Sequence, residues 1–83
     1  MSQPDSVLET ARKAAELSLS ELWFRYFALG GESTTLEVEA YLLGALEATT
    51  EDQDLLAVAL NERFSELGVE HPMPYSDDDE ADT

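Results

Sequence analysis

Ser18–Gly31 reads SLSELWFRYFALGG, and it holds the only Trp and two of the three Phe residues of the 83-residue chain. Ser18-x-x-Glu21 is a capping box, in which the Ser oxygen takes an orphan amide of the first turn and the Glu reaches back. Leu19, Leu22, Trp23, Tyr26 and Phe27 follow at the i, i+3, i+4, i+7, i+8 spacing of one helical face. This stripe predicts a central helix with Trp23 largely buried. Phe24 and Ala28 fall on an adjacent face, so the apolar surface is wider than one neighbour covers. Gly30-Gly31 stops the helix, because Gly accepts the left-handed conformation at a C-terminus without a Cβ clash. Arg25 sits late in the helix, where a cation suits the negative end of the dipole.

On the N-terminal side, residues 1–4 read as a flexible terminus. Asp5 or Ser6 caps a first helix, and Ser6-x-x-Glu9 fits a further capping box. Val7, Ala11, Ala14 and Ala15 make a thin apolar stripe up to Leu17. The Ser18 cap favours a break before the central helix, but neither Gly nor Pro enforces one. Whether residues 5–17 form a separate helix or extend the central one stays open.

On the C-terminal side, Thr34-x-x-Glu37 starts a helix that the apolar run LEVEAYLLGAL carries to about Ala48. Gly44 then lies inside it, at a cost of about 1 kcal/mol relative to Ala. Thr50-x-x-Gln53 repeats the cap pattern. A last helix follows, with Leu56, Ala59, Leu60, Arg63, Phe64 and Leu67 on one side and Gly68 as its stop. Pro72 and Pro74 make the following segment an extended arm. From Ser76 the tail SDDDEADT is disordered by composition. The expected organisation is residues 1–4 as terminus, residues 5–75 as one helical domain and residues 76–83 as acidic tail. The fold class is all-α, a three- to four-helix bundle with an extended Pro-containing C-terminal arm and a disordered acidic tail.

The net charge is −15 and unevenly placed. Residues 1–29 carry four acids against three bases; residues 30–83 carry fifteen acids against Arg63 alone. Direct binding to nucleic acid or to an anionic membrane is disfavoured, and a basic protein is the electrostatic complement. Within residues 30–70, ten acids face one base. Crowding of this kind raises carboxylate pKa values, and predicts stability that grows from pH 7 toward pH 5. There is no Cys, so neither a disulfide framework nor a thiolate metal site supports the small core. No segment has the ~20 apolar residues of a membrane span. The start, MSQPDSVLET, lacks the apolar run of a signal peptide, and the expected location is cytoplasmic.

Chemistry-bearing patterns are sparse. His71 is the only histidine, between an acid and a proline. It has no second imidazole or thiol with which to hold zinc, and no Ser-His-Asp context. The acids of the tail lack the spacing of a calcium loop. Glu37, Glu39 and Glu47 read as a solvated face. No catalytic residue, metal ligand or cofactor is expected.

Tyr26-Phe27-Ala28-Leu29-Gly30-Gly31-Glu32-Ser33 resembles the F-F-x-L-G-G-x-S signature of peptidyl and acyl carrier proteins. The resemblance implies an acidic four-helix domain with phosphopantetheine on Ser33. It covers about a tenth of the chain. Thr34 stands where that family has Leu, and the aromatics continue a helical stripe from Leu19. A Gly-Gly helix stop accounts for the same residues. The wider pattern, ELWFRYFALGG, EAYLLGAL, ALNERF and ELG with PYSD, resembles small acidic helical proteins of high-GC Gram-positive bacteria. That resemblance implies a bacterial, cytoplasmic, stand-alone protein and brings no site residues.

The expected function is therefore non-catalytic protein–protein interaction, as a regulatory or adaptor module with a basic partner. The alternatives are a carrier protein loaded at Ser33 and a structural homodimer. Trp23, Phe24 and Phe27 are the candidate interaction surface, because the Ala-rich first helix covers little of the central one.

Overall fold

The computed structural model describes residues 6–68. The expected N-terminal residues 1–4, the cap at Asp5, the arm with His71 and the tail at 76–83 lie outside the described residues. Those described form four helices and no strand: α1 Val7–Ala14, α2 Leu19–Ala28, α3 Thr35–Leu43 and α4 Thr50–Glu66. The described fold is all-α, and α1 is a helix of its own.

Each helix starts at a hydroxyl. Ser6, Ser18, Thr34 and Thr49 accept from the amides of Glu9, Glu21, Glu37 and Asp52 at 3.0–3.1 Å. Such a cap contributes ~1 kcal/mol. The boxes at Ser18 and Thr34 are complete, with the Glu21 and Glu37 carboxylates each accepting a cap amide at 2.8 Å. At Ser6 the Glu9 carboxylate turns instead to Arg12, taking Nε and Nη2 at 2.8 and 2.7 Å. The Ser6 hydroxyl donates to the carbonyl of Leu42 at 2.6 Å, tying the start of α1 to the end of α3. The cap expected at Thr50 is Thr49. That register puts Asp52 at the third helical position, and leaves Gln53 donating to the carbonyl of Ala48.

The helix ends share one device. After α1, α2 and α3 a residue with positive φ lets its own amide and the next one bond back to the last turn. At α3 this residue is Gly44, with φ 77°. The helix expected to run on to Ala48 therefore ends at Leu43, and Gly44 is its stop rather than an interior cost. At α1 the same position is Glu16, with φ 60°. Glu16 N–H donates to Lys13 and Leu17 N–H to Arg12, which makes the break without a glycine. Arg12 Nη1 and Arg63 Nε brace that turn, donating to the carbonyls of Leu17 at 2.7 Å and Ala15 at 3.0 Å.

The core is a single cluster. It takes Ala11, Ala15 and Leu17 from the first helix and turn, Leu22 and Tyr26 from α2, and Val38 and Leu42 from α3. The long α4 supplies Leu56, Ala57, Ala59, Leu60 and Phe64. Full burial of one Leu contributes about 1.5–3 kcal/mol, so a few positions decide the stability of so small a domain. α2 packs on α4 and α3, and α1 on the same two helices. The buried line of α2 is Leu22–Tyr26, not the whole predicted stripe. Trp23 is consequently half-buried rather than buried, and Phe27 turns outward. Leu67, expected on the inner side of the last helix, is also exposed. No helix among the described residues is long and apolar enough to cross a membrane.

Candidate functional site

The sequence places Trp23, Phe24 and Phe27 on α2 and Ser33 in the connection to α3. The structure joins them through Trp23, which stacks on Phe27, bonds to Ser33 and shares a hollow with Phe24. Phe24 and Phe27 are 67% and 53% exposed, although the helix that carries them also supplies the two fully buried side chains Leu22 and Tyr26. The indole of Trp23 lies stacked on the Phe27 ring, with centroids 5.0 Å apart and planes 19° apart. Stacking of this kind holds both rings in one orientation. Trp23, Phe24, Ser20, Glu21, Arg25 and Thr35 line an open hollow of about 530 Å³. Leu36, next along from Thr35, is 74% exposed.

The wall behind this face is a polar cluster. Trp23 Nε1 donates to the carbonyl of Ser33 at 2.9 Å. Ser33 N–H donates to Tyr26 Oη at 2.8 Å, and Tyr26 Oη donates to Asp52 Oδ1 at 2.8 Å. Ser33 Oγ donates to Asp52 Oδ2 at 2.9 Å and pairs with Tyr41 Oη at 2.8 Å. Tyr41 Oη also lies 3.2 Å from Asp52 Oδ2. Because Ser33 has one hydroxyl proton and gives it to Asp52, the Tyr41 proton goes to Ser33 Oγ or to the carboxylate. The Ser33 hydrogen bond pulls the Tyr41 phenol down; desolvation and the Asp52 carboxylate outweigh it, and its pKa is raised. Tyr41 therefore stays a neutral donor at physiological pH.

Gly31 explains how the loop reaches this position. A Cβ there would run into the Tyr26 ring, so only glycine lets the backbone lie on the phenol. The Gly-Gly pair thus divides its labour: Gly30 ends α2 with φ 103°, and Gly31 packs against Tyr26.

In front of Ser33 lies a second hollow, of about 390 Å³, whose lining includes Glu32, Glu37, Glu51 and Asp52. Among the described residues, no group of three or more His, Cys, Asp or Glu side chains could hold a metal ion. The Ser33 hydroxyl has a carboxylate and a phenol as neighbours. Neither is an imidazole or amine base of the kind that activates a nucleophilic serine. The arrangement orders the loop between α2 and α3 and fixes the back of the Trp23 ring.

Sequence reasoning missed Tyr26, Tyr41 and Asp52 as a unit. The one local signal is Thr49-x-x-Asp52, a cap in which the acidic residue at the third position turns away from its own helix. The partners 26 and 11 residues away leave no spacing pattern.

Compared with family models, with curated proteins and with solved structures, the chain matches none of them.

Proposed function

We propose that this chain is a non-catalytic interaction module that docks another protein on the aromatic face of α2. One observation carries the reading. Phe24 and Phe27 stand in solvent on a helix whose opposite side is fully buried, and Trp23 is held stacked beside them. Exposed aromatic side chains grouped on a small domain mark contact surfaces, and aromatic residues dominate the energetics of such contacts. The hydrogen bond from Trp23 to Ser33 supports a preorganised face, which lowers the ordering cost of docking. A net charge of −15 supports a protein rather than a nucleic acid as the partner.

The test is capture from the native cell with the wild-type chain and with Phe24→Glu/Phe27→Glu. A partner recovered by the wild type and lost with the double variant supports the reading, provided both show the same helical circular dichroism. Equal recovery by both overturns it. Intact mass of the native protein addresses the carrier alternative, because phosphopantetheine adds a fixed mass at Ser33. The engagement of the Ser33 hydroxyl with Asp52 and Tyr41 supports a structural role for that side chain.

A further inference from the structure

We infer that the occupant of the α2 face is a cationic amphipathic helix of a partner protein. Its apolar side chain fills the Trp23–Phe24 hollow, and its Lys or Arg reaches the carboxylates in front of Ser33. This rests on the docking role proposed above and adds the chemistry of the partner.

The two hollows are neighbours. Thr35 lines the aromatic one and Ser33 the acidic one, and two residues of chain span at most ~7 Å. On an incoming helix, side chains four residues apart share a face and lie ~6 Å apart along the axis. One apolar and one cationic side chain at that spacing suit two hollows whose linings lie two residues apart in the chain. Trp23 joins them physically, since its ring lines the first and its Nε1 holds the carbonyl of Ser33 in the second.

Charge decides between a basic partner and a second copy. Glu32, Glu37 and Glu51 at the second hollow are all exposed. A second copy has few cations to offer them, four Lys and Arg in all, and its three arginines already have carboxylate partners. Arg12 is bound to Glu9, and Arg25 and Arg63 both to Glu66. Two copies would also bring like net charges together. A partner helix with its own free Lys or Arg residues meets neither obstacle.

The probe is an 18-residue helical peptide of Leu and Lys with one apolar face. A second peptide carries Glu in place of Lys. Emission of Trp23, the only Trp in the chain, reads binding at the site itself. The Leu/Lys peptide should bind one to one and protect Trp23 from acrylamide quenching. Its affinity should fall about tenfold with Phe24→Ser, a loss equal to about 1.4 kcal/mol. Glu32→Gln/Glu51→Gln should weaken it about threefold, and Glu16→Gln/Glu47→Gln, which removes the same charge from exposed residues that line neither hollow, should leave it unchanged.

If the Leu/Glu peptide binds as tightly, the face docks proteins but not through charge, and the inference falls alone. Equal weakening by both charge pairs means diffuse attraction, and again only the inference falls. A dimer seen in sedimentation equilibrium and dissociated by Phe24→Ser makes a second copy the occupant and overturns it. Unchanged acrylamide quenching of the wild type with every peptide overturns the inference, and equal capture by the wild type and Phe24→Glu/Phe27→Glu overturns the docking role as well.

Discussion

The phenol of Tyr26 donates to Oδ1 of Asp52 at 2.8 Å, joining the buried face of α2 to the first turn of α4. The phenol oxygen of Tyr26 also accepts from the amide of Ser33, so the hydroxyl of one fully buried residue orders a helix pair and a loop. The back of the aromatic face is built on that hydroxyl.

Removing it is the sharpest test of the polar cluster. Tyr26→Phe keeps the ring but leaves the amide of Ser33 and a carboxylate oxygen of Asp52 without their partner. A buried group left unsatisfied costs about 1–3 kcal/mol. Urea denaturation should show a loss in that range with an unchanged slope. A midpoint equal to the wild type would mean that water replaces the hydroxyl without cost.

The two glycines after α2 should respond differently to a methyl group. At Gly30 an added Cβ meets nothing, and only the left-handed backbone resists it, at a cost of about 1–2 kcal/mol. At Gly31 the Cβ runs into the Tyr26 ring, which is locked by Asp52. Gly31→Ala should therefore lower the melting temperature more than Gly30→Ala. It should also raise exposure of Trp23 to quenchers, because the loop that holds its Nε1 is displaced. The reverse order of the two variants would contradict the packing of Gly31 on Tyr26.

At Glu16 the substitution should help. A non-glycine residue in the left-handed region is strained by about 1 kcal/mol, and Glu16 has φ 60°. Glu16→Gly should stabilise the fold by a few tenths to about 1 kcal/mol, after the unfolded-state entropy of Gly is subtracted. A destabilised variant would show that the Glu16 side chain contributes more than its backbone costs.

Much of this fold is legible in the sequence, and the exceptions have physical causes. Ser18 and Thr34 are readable as caps because each is followed three residues later by a Glu that can reach back. Thr49 and Thr50 are adjacent hydroxyls with a polar residue three places on. What selects Thr49 is that its register aims Asp52 at Tyr26, Ser33 and Tyr41, which are contacts between distant parts of the chain. Gly44 is hidden by the apolar residues that follow it: Ala45 and Leu46 continue the pattern of α3 but are exposed after the turn. The break at Glu16 leaves no composition signal, because it is made by a residue that seldom takes that conformation. At the candidate surface, the position of Phe24 off the main stripe is a direct reading of helical geometry. The outward turn of Phe27 is not, since it depends on α3 and α4 centring their packing on Leu22 and Tyr26.

The acid crowding that predicts gain of stability toward pH 5 meets an opposing effect. The carboxylates of Glu21 and Glu66 are both lowered from their ordinary value of 4.5. Hydrogen bonds from Ser18 lower the first, and hydrogen bonds from Arg25 and then Arg63 lower the second. A lowered folded pKa means that the unfolded chain binds more protons. The stability from these groups is present above pH 4.5 and is lost as pH falls through the folded values. The melting temperature of the wild type should drop below about pH 4.5 more steeply than that of Glu66→Gln. Parallel curves would show that the Arg25–Glu66 pair contributes nothing to folding.

The central claim is that a protein sits on the aromatic face of α2. A photo-reactive phenylalanine analogue placed at position 24, and separately at position 10, which is exposed on α1, tests it in the living cell. Position 24 should give a covalent adduct heavier than the chain itself, and position 10 should give none. No adduct from position 24, or the same adduct from both positions, would contradict the claim.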